Sequence, residues 1–378
     1  MTTEPNDSAP QPDADKLASR WQRAAAAVGR AALAPLEGVG MLYRTGQQNM
    51  HFTLPVLNGA FGDQLAARHD RRAIRMNFRR YESDVPVEQL RLPSAQGRPR
   101  KTVVFLHGLM GDEIIWQTGE GPEDVRFGPR LQRELDVHCL YVRYNSGLHI
   151  SENGRLLHKL LTDLVRTFPA AVGELVLVGH SMGGLVIRSA GYYASQEAAA
   201  ATPGTAGNPS SPNESWLPRL RDVFLLGVPN DGSFLEQNSH LTSLILRKIN
   251  LWPTRAISGL IDKRSNGIKD LRFARLVDED WQNEHADDLF PPRTVVPPLP
   301  GVRYHVLVGS MLKTAGSALH DYFGDGLVGG GSARGRIFQD PAAPPDLLIS
   351  THVFSKLHHG TLLSSPEVYQ YLRERVAE

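Results

Sequence analysis

The sequence predicts an α/β fold with a doubly wound, mostly parallel sheet. From residue 101 onward, β-prone apolar runs alternate with segments of helical period, which is typical of such sheets. The first run, 101–107, is continuously β-prone, as strands buried on both faces are. A third observation is a Gly-x-Ser-x-Gly turn, centred on Ser181, between one such run and an apolar segment. The length of 378 residues suits one domain with additions.

The predicted elements follow one another in a regular order. Predicted strands cover 101–107, 137–144, 174–179, 220–227, 302–309 and 347–354. Predicted helices cover 154–168, 183–196 and 366–376. The helix that begins at Gly154 carries its leucines on one broad apolar stripe, which is suited to packing on a sheet.

The chain before the first strand has a different character. Residues 1–16 are polar and rich in proline and acid, and we expect a disordered tail because they cannot bury enough apolar surface to offset chain entropy. Residues 17–100 contain apolar residues at helix-like spacing and predict a small, mainly helical N-terminal segment. The main domain is therefore expected to cover 101–378.

Two stretches interrupt the main domain. Residues 198–214 are rich in Ala, Pro, Gly, Ser and Asn without periodicity, and predict a mobile surface loop. The strand rhythm is also lost over 233–298, where an amphipathic pattern runs from Leu241 to Trp252. We expect this insertion to form a helical cap over a pocket, and a buried helix that only packs on the core is the alternative.

Composition excludes several classes of function. Lys and Arg number 41 against 40 Asp and Glu, so no net field favours nucleic acid. The single cysteine, Cys139, rules out a disulfide framework. The N-terminus lacks a secretory signal pattern, which indicates a cytoplasmic protein. The apolar run 24–36 is broken by Arg30 and is too short to cross a bilayer, so we expect no transmembrane helix, although peripheral membrane contact is compatible with the sequence.

The turn around Ser181 has the pattern of a nucleophile elbow. A serine at a sharp strand-to-helix turn needs neighbours without a Cβ two residues away on each side, and Gly179 and Gly183 meet that need. The turn would lift the Ser181 hydroxyl clear of the sheet. It would also point the Met182 N–H at the place where an oxyanion forms.

A serine nucleophile needs a histidine base held by a carboxylate. In sheets of this kind catalytic groups collect beyond the carboxyl ends of the strands, which selects few of the fourteen histidines. His359 lies five residues past the last predicted strand and is the predicted base. Its neighbour His358 is the alternative, because only one of two adjacent side chains can face Ser181.

The predicted acid is Asp325, in a Gly-Asp-Gly turn downstream of the strand that ends at Gly309. Asp231, directly after the strand 220–227, is its main rival, and Asp321 and Asp340 remain as further candidates. The order serine, acid, histidine along the chain is that of α/β-hydrolases and differs from the orders of the two serine protease folds.

The second oxyanion donor is expected in the loop that follows the first strand. His107 ends that strand, and the loop 108–111 lies where the second N–H arises in such sites. We assign this donor to the backbone of Leu109. His107 itself is predicted to be a structural histidine bonded to local backbone.

These motifs resemble those of bacterial α/β-hydrolase esterases or lipases related to the catalytic domain of the glycosylphosphatidylinositol inositol-deacylase. The similar stretches, which span most of the chain, are 57–59, 62–65, 105–111, 143–147, 151–155, 179–183, 267–272, 278–281, 324–328 and the region from His359 to Val368. The resemblance implies the α/β-hydrolase fold, with Ser181, Asp325 and His359 as the triad. It also favours His359 over His358 through the spacing to a following Leu-Leu pair.

The chain departs from this family at two places. Residues 329–332 read Gly-Gly-Gly-Ser where the family has proline, a β-branched residue and serine, which predicts a looser acid turn. Residues 228–231 read Val-Pro-Asn-Asp where such enzymes commonly have Thr-Pro-His. The second departure adds a carboxylate, Asp231, near the expected pocket.

The leading hypothesis is a serine carboxylic-ester hydrolase that cleaves a small-molecule or lipid ester with an apolar part through an acyl-enzyme on Ser181. An acyltransferase with the same triad and a non-catalytic hydrolase-like binding protein are the alternatives. A metal hydrolase is disfavoured, since neither His-Glu-x-x-His nor Cys-x-x-Cys occurs. No cofactor is implied, and the sequence indicates no oligomeric state.

Overall fold

The computed structural model describes residues 50–80, 83–94, 97–117, 127–200, 215–232, 265–286, 288, 291–310, 330–338 and 347–378. Eight strands, β1 to β8 in chain order, form one sheet. They cover Asn77–Arg80, Ser83–Val85, Arg100–Leu106, Val137–Arg143, Val172–His180, Leu220–Leu226, Arg303–Ser310 and Leu348–Ser355.

The strands are ordered β2-β1-β4-β3-β5-β6-β7-β8 across the sheet. Every pair from β4 to β8 is parallel, while β1 is antiparallel to both β2 and β4. The predicted doubly wound, mostly parallel sheet is therefore confirmed. All six predicted strands are present, with ends that differ from the prediction by no more than about two residues.

The α-helices of the described residues are numbered α1 to α8. They cover Met50–Ala67, Phe127–Glu134, Ile150–Thr167, Met182–Ala200, Asn266–Phe273, Asp278–Gln282, Gly330–Arg334 and Pro366–Ala377. None of them is both long and apolar enough to cross a membrane. The helices predicted over 154–168, 183–196 and 366–376 correspond to α3, α4 and α8.

The sheet is covered on both faces because alternate side chains of each strand point to opposite sides. Val104 and Leu106 of β3 belong to one core cluster, which also holds the apolar stripes of α3 and α4. Val103 and Phe105 belong to the other cluster, with the buried side chains of α2 and α8. This two-sided burial explains why residues 103–106 of β3 are all apolar.

The described part of the segment before residue 101 contains strands that the sequence did not predict. It contains the helix α1, but it also supplies the hairpin of β1 and β2, which extends the sheet by two strands. Residues 77–80 have a single apolar side chain, Phe78, which is fully buried. Four residues are too few to show the alternation of apolar and polar residues that identifies a strand in the sequence. The conformation of this strand is instead decided by its pairing with β4.

Several predicted features lie outside the described residues. They are the tail 1–16, residues 201–214 of the predicted surface loop 198–214, the amphipathic pattern from Leu241 to Trp252 and the turn that contains Asp325. Residues 198–200, predicted as the start of that loop, instead form the end of α4. Of the predicted cap insertion, the described part contains α5, α6 and a stretch without regular secondary structure that leads to β7.

Candidate active site

Ser181 lies alone between the end of β5 and the start of α4. Its φ is +51°, a left-handed conformation that an L-residue adopts only when its surroundings hold it there. The Ser181 N–H donates to the carbonyl of Leu226 at 2.9 Å, and its own carbonyl accepts from the Gly184 N–H at 3.1 Å. This geometry is that of the strained strand-to-helix turn expected of a nucleophile elbow.

The two glycines of the motif are required by close packing. A Cβ at Gly179 would lie 2.6 Å from the Cα of Gly184, and a Cβ at Gly183 would lie 2.5 Å from the carbonyl oxygen of His107. Both neighbours are backbone atoms, which cannot move aside as a flexible side chain can. The steric reason given for these glycines from the sequence is therefore confirmed.

Two backbone segments surround Ser181. Met182 is buried and is the first residue of α4, so its N–H has no partner within the helix. On the other side runs the loop after β3, where a Cβ at Gly108 would lie 3.0 Å from the Ser181 Cβ. The N–H groups predicted as oxyanion donors, those of Leu109 and Met182, thus belong to the two segments that flank the serine.

His107 is a structural residue, as the sequence predicts. Its Nδ1 donates to the Gly108 carbonyl at 2.8 Å, and its Nε2 accepts from the Tyr144 N–H at 3.2 Å. The ring is stacked on Tyr144 at a centroid distance of 4.2 Å. Burial lowers the pKa of His107 to about 4, so the ring is neutral and both nitrogens are used in holding the loop.

The loop is also supported by the N-terminal helix, which the sequence did not indicate. Met110 has a φ of +58°, and its N–H donates to Ser146 Oγ at 3.0 Å. A Cβ at Gly59 of α1 would lie 2.3 Å from the Met110 Cγ. Helix α1 therefore packs directly on the residue that follows Leu109, and a larger side chain at position 59 could not be accommodated.

Of the two candidate bases, His359 is the one that lies beside the elbow. It is 7% exposed and follows β8, and its ring centroid is 4.6 Å from that of His180, the residue before Ser181. The His180 Nε2 lies 3.3 Å from the His359 carbonyl oxygen. The side chain of His358 is exposed. The contact between His180 and His359 was missed from the sequence, because nothing in the motif shows which way its second residue points.

Of the candidate acids, only Asp231 lies within the described residues. Asp325, Asp321 and Asp340 lie outside the described residues. The carboxylate of Asp231 accepts from the Arg336 N–H at 2.9 Å and lies 3.5 Å from the Arg293 guanidinium. Its contacts within the described residues are thus with arginines. The same part of the chain contains no group of three or more His, Cys, Asp or Glu side chains that could hold a metal ion.

The two segments that depart from the family pattern are bonded to each other. The Asn230 N–H donates to the Ser332 carbonyl at 3.0 Å, and the Asn230 Nδ2 donates to the Ala333 carbonyl at 2.8 Å. Arg188, buried in α4, donates to Asn230 Oδ1 at 3.2 Å. The residues that follow the predicted acid turn are therefore held at the carboxyl end of β6.

Another buried polar group joins α5 to the start of α3. His149 Nδ1 lies 2.8 Å from Asp270 Oδ2, and the His149 ring is stacked on Trp281 at 3.9 Å. Burial raises the pKa of Asp270, opposed by its hydrogen bond with His149. A Cβ at Gly267 would lie 3.0 Å from the Met182 Cε, so α5 packs over the residue that follows the serine. The stretches 267–272 and 278–281, noted in the sequence, thus form structural contacts near the elbow.

Comparison with solved structures gives similar folds at low identity. The mature form of Bacillus licheniformis lipase BlEst2 is 18% identical over 75% of this chain and 94% of its own, with a TM-score of 0.43. Lipase 1 from Pelosinus fermentans is 13% identical over 75% and 99%, also with a TM-score of 0.43. The carboxylesterase CesB from Bacillus subtilis is 12% identical over 75% and 84%, with a TM-score of 0.38. No curated protein matches the sequence.

A match between the sequence and a family model identifies the family of this chain. The model of the alpha/beta hydrolase family matches residues 103–369, which begin in β3 and end in α8. The match includes the elbow and the eight-stranded sheet from its third strand onward. The sheet is the mostly parallel one of the α/β-hydrolase fold. The chain therefore belongs to the alpha/beta hydrolase family.

Proposed function

We propose that this protein is a serine carboxylic-ester hydrolase, with Ser181 as nucleophile, His359 as general base and Asp325 as the acid that orients it. One observation carries the proposal. Ser181 has a φ of +51° at the strand-to-helix turn, and the loop after β3 passes beside it. Strain of this kind persists only where the surroundings over-determine it, and it is typical of functional sites.

In the proposed reaction, Ser181 Oγ attacks the ester carbonyl while His359 takes the hydroxyl proton. The carbonyl oxygen becomes an oxyanion, which the N–H groups of Leu109 and Met182 stabilise. The C–O bond to the alcohol then breaks, and the alcohol leaves with the proton from His359. Water, activated by the same histidine, hydrolyses the acyl-enzyme and restores Ser181.

The proposed substrate is a small-molecule or lipid ester with an apolar part. Family membership supports hydrolase chemistry, and the motif resemblance to the inositol-deacylase group supports an ester with an acyl chain. The relation to the inositol-deacylase group is proposed on these motifs alone. The cytoplasmic location and the cap over the pocket stay predictions from the sequence.

Labelling and turnover with matched variants test the nucleophile and the base. The wild type should react with a fluorophosphonate and hydrolyse p-nitrophenyl esters. Ser181→Ala should abolish labelling and lower turnover by about 10³- to 10⁶-fold with the fold intact. His359→Ala should lose activity similarly, while His358→Ala, its matched control, should retain most of it. Near-wild-type turnover of folded Ser181→Ala, or the reverse ranking of the histidines, would contradict the assignment.

The acid is tested by a second matched pair. Asp325→Asn should lower kcat/KM nearly as much as loss of the histidine, because the imidazole tautomer is no longer held. Asp231→Asn should have a small effect, since its carboxylate contacts Arg293 and the Arg336 N–H. A larger loss from Asp231→Asn would show that Asp231, after the end of β6, is the acid that orients the histidine. Product analysis with added alcohol distinguishes hydrolysis from acyl transfer.

A further inference from the structure

A cavity of about 660 Å³ lies away from the residues assigned to catalysis. It is bounded by α1, by the stretch 69–76 and by the start of α3. Arg143, the last residue of β4, also lines it, so the cavity opens at the same edge of the sheet as Ser181. Two strand spacings separate the ends of β4 and β5, a lateral distance of roughly 10 Å.

The lining carries an excess of positive charge. Four arginines line the cavity against two aspartates. Asp70 is bound by Arg72 in a bidentate pair at 2.9 and 2.6 Å, and Asp84 is bound by Arg143 at 3.0 Å. Arg71 and Arg75 are exposed, and neither forms an ion pair with any residue in the described part of the chain. No carboxylate of the described residues therefore competes with a ligand for these two side chains.

Two polar atoms of the lining residues are buried without a partner in the described structure. Asn153 is fully buried, and its Nδ2 donates to the carbonyls of Asn145 and His149, which fixes the orientation of its amide. Its Oδ1 accepts no hydrogen bond. Arg143 Nε likewise donates to no acceptor. Buried polar atoms of this kind cost free energy unless a ligand satisfies them.

The rest of the lining is apolar. Leu54 and Met76 are half-buried, and Leu156 of α3 remains 41% exposed, although it belongs to the otherwise buried apolar stripe of that helix. The cavity therefore combines guanidinium groups, a free amide acceptor and an apolar wall. Arginine forks match carboxylate and phosphate oxygens, and an apolar wall favours a hydrocarbon chain.

We propose that this cavity binds an anionic amphiphile, in which a carboxylate or phosphate group on an apolar chain meets Arg71, Arg75 and Arg143. A hydroxyl of the ligand donates to Asn153 Oδ1, and the chain lies against Leu156. This site goes beyond the proposed hydrolase function, because it includes none of the groups assigned to the reaction.

Isothermal titration calorimetry with Ser181→Ala protein tests the site, since no turnover or acyl-enzyme can then contribute to the heat. The probes are octyl phosphate and octanoate, each below its micelle concentration, with octanol and octylamine as controls. We expect octyl phosphate and octanoate to bind saturably. Octanol and octylamine should show no saturable binding. A preference for one anion distinguishes a phosphate ligand from a carboxylate ligand.

Variants locate the binding. The double variant Arg71→Gln/Arg75→Gln changes only exposed side chains and should weaken octyl phosphate binding by about tenfold or more. Leu156→Ser should weaken octyl phosphate more than a butyl phosphate probe. Arg166→Gln, also in α3 but paired with Asp163, is the matched control and should have no effect. Equal binding of octanol, or an affinity unchanged by the double variant, would overturn the proposal. Binding to phosphatidic acid vesicles without binding to the monomeric probe would also overturn it.

Discussion

The substitution Gly108→Ala tests whether the loop after β3 takes part in the reaction. The added Cβ would lie 3.0 Å from the Ser181 Cβ and 3.2 Å from the His180 Nδ1. Contacts of 3.0–3.4 Å are tighter than nearly all real Cβ contacts, so the loop must move away from the serine by a few tenths of an ångström. This shift carries the Leu109 N–H away from the expected position of the oxyanion.

The expected result is a loss of kcat of about tenfold, because a displacement near 1 Å can cost about 10²-fold and this shift is smaller. Overpacking should also lower the free energy of unfolding by about 1–3 kcal/mol. The measurements are p-nitrophenyl ester hydrolysis and urea unfolding of the same preparations. Fluorophosphonate labelling reports whether Ser181 is still reactive.

Gly191→Ala is the matched control in α4. Its Cβ would meet only the Leu299 Cδ1 at 3.0 Å, the end of a flexible side chain. Alanine is favoured over glycine within a helix by roughly 0.5–1 kcal/mol, so this variant should keep both its activity and its stability. Unchanged turnover of a folded Gly108→Ala variant would refute the assignment of the loop to the oxyanion site.

Three further predictions follow from buried polar groups. Burial, and then the charge of Glu113, raises the pKa of Asp112 from 3.8 to about 6. Its stabilising contribution is therefore complete below pH 3.8 and lost as the pH rises through 6. Urea unfolding at a series of pH values should show this decrease in the wild type, by up to ~3 kcal/mol, and not in Asp112→Asn. Asp222, fully buried between Arg303 at 2.6 Å and His305 at 3.0 Å, lies near the amino end of β6, at the edge opposite Ser181. Asp222→Asn should cost about 2–4 kcal/mol of stability without lowering kcat of the folded enzyme, and a selective loss of kcat would contradict this. Ser146→Ala removes the acceptor of the Met110 N–H; it should cost about 1 kcal/mol in unfolding and lower kcat more than it raises KM. An effect confined to KM would show that the loop keeps its shape without Ser146.

The central strands could be predicted because burial on both faces produces unbroken apolar runs. The run around Val103 and Phe105 is short and rich in β-branched and aromatic residues, which favours a buried strand over a buried helix. The hairpin of β1 and β2 could not be predicted in this way, since residues 77–80 are mostly polar and take their conformation from pairing with β4. Sequence-local patterns carry no record of such long-range pairing.

In the candidate site, too, the features set by local sequence could be predicted, and those set by long-range contacts could not. The elbow was predictable because its glycines are required by contacts within a few residues and by the adjoining strand. The position of His359 beside the elbow could be anticipated from the end of the last strand, but its contact with His180 could not. The packing of Gly59 against Met110 could not be predicted either, because a glycine in the sequence does not show which residue packs against it. Asp325 stays a prediction.

The docking of α1 has a consequence for how the protein is made. Ser265 Oγ donates to the Gly59 carbonyl at 2.6 Å, and the Asn266 N–H donates to Asp63 Oδ2 at 3.2 Å, across 206 and 203 residues of chain. At ribosomal speeds of about 5–20 residues per second, these bonds cannot form until some 10–40 seconds after α1 has been synthesised. The helix that packs on the loop after β3 therefore lacks this anchor until residues 265 and 266 have been synthesised.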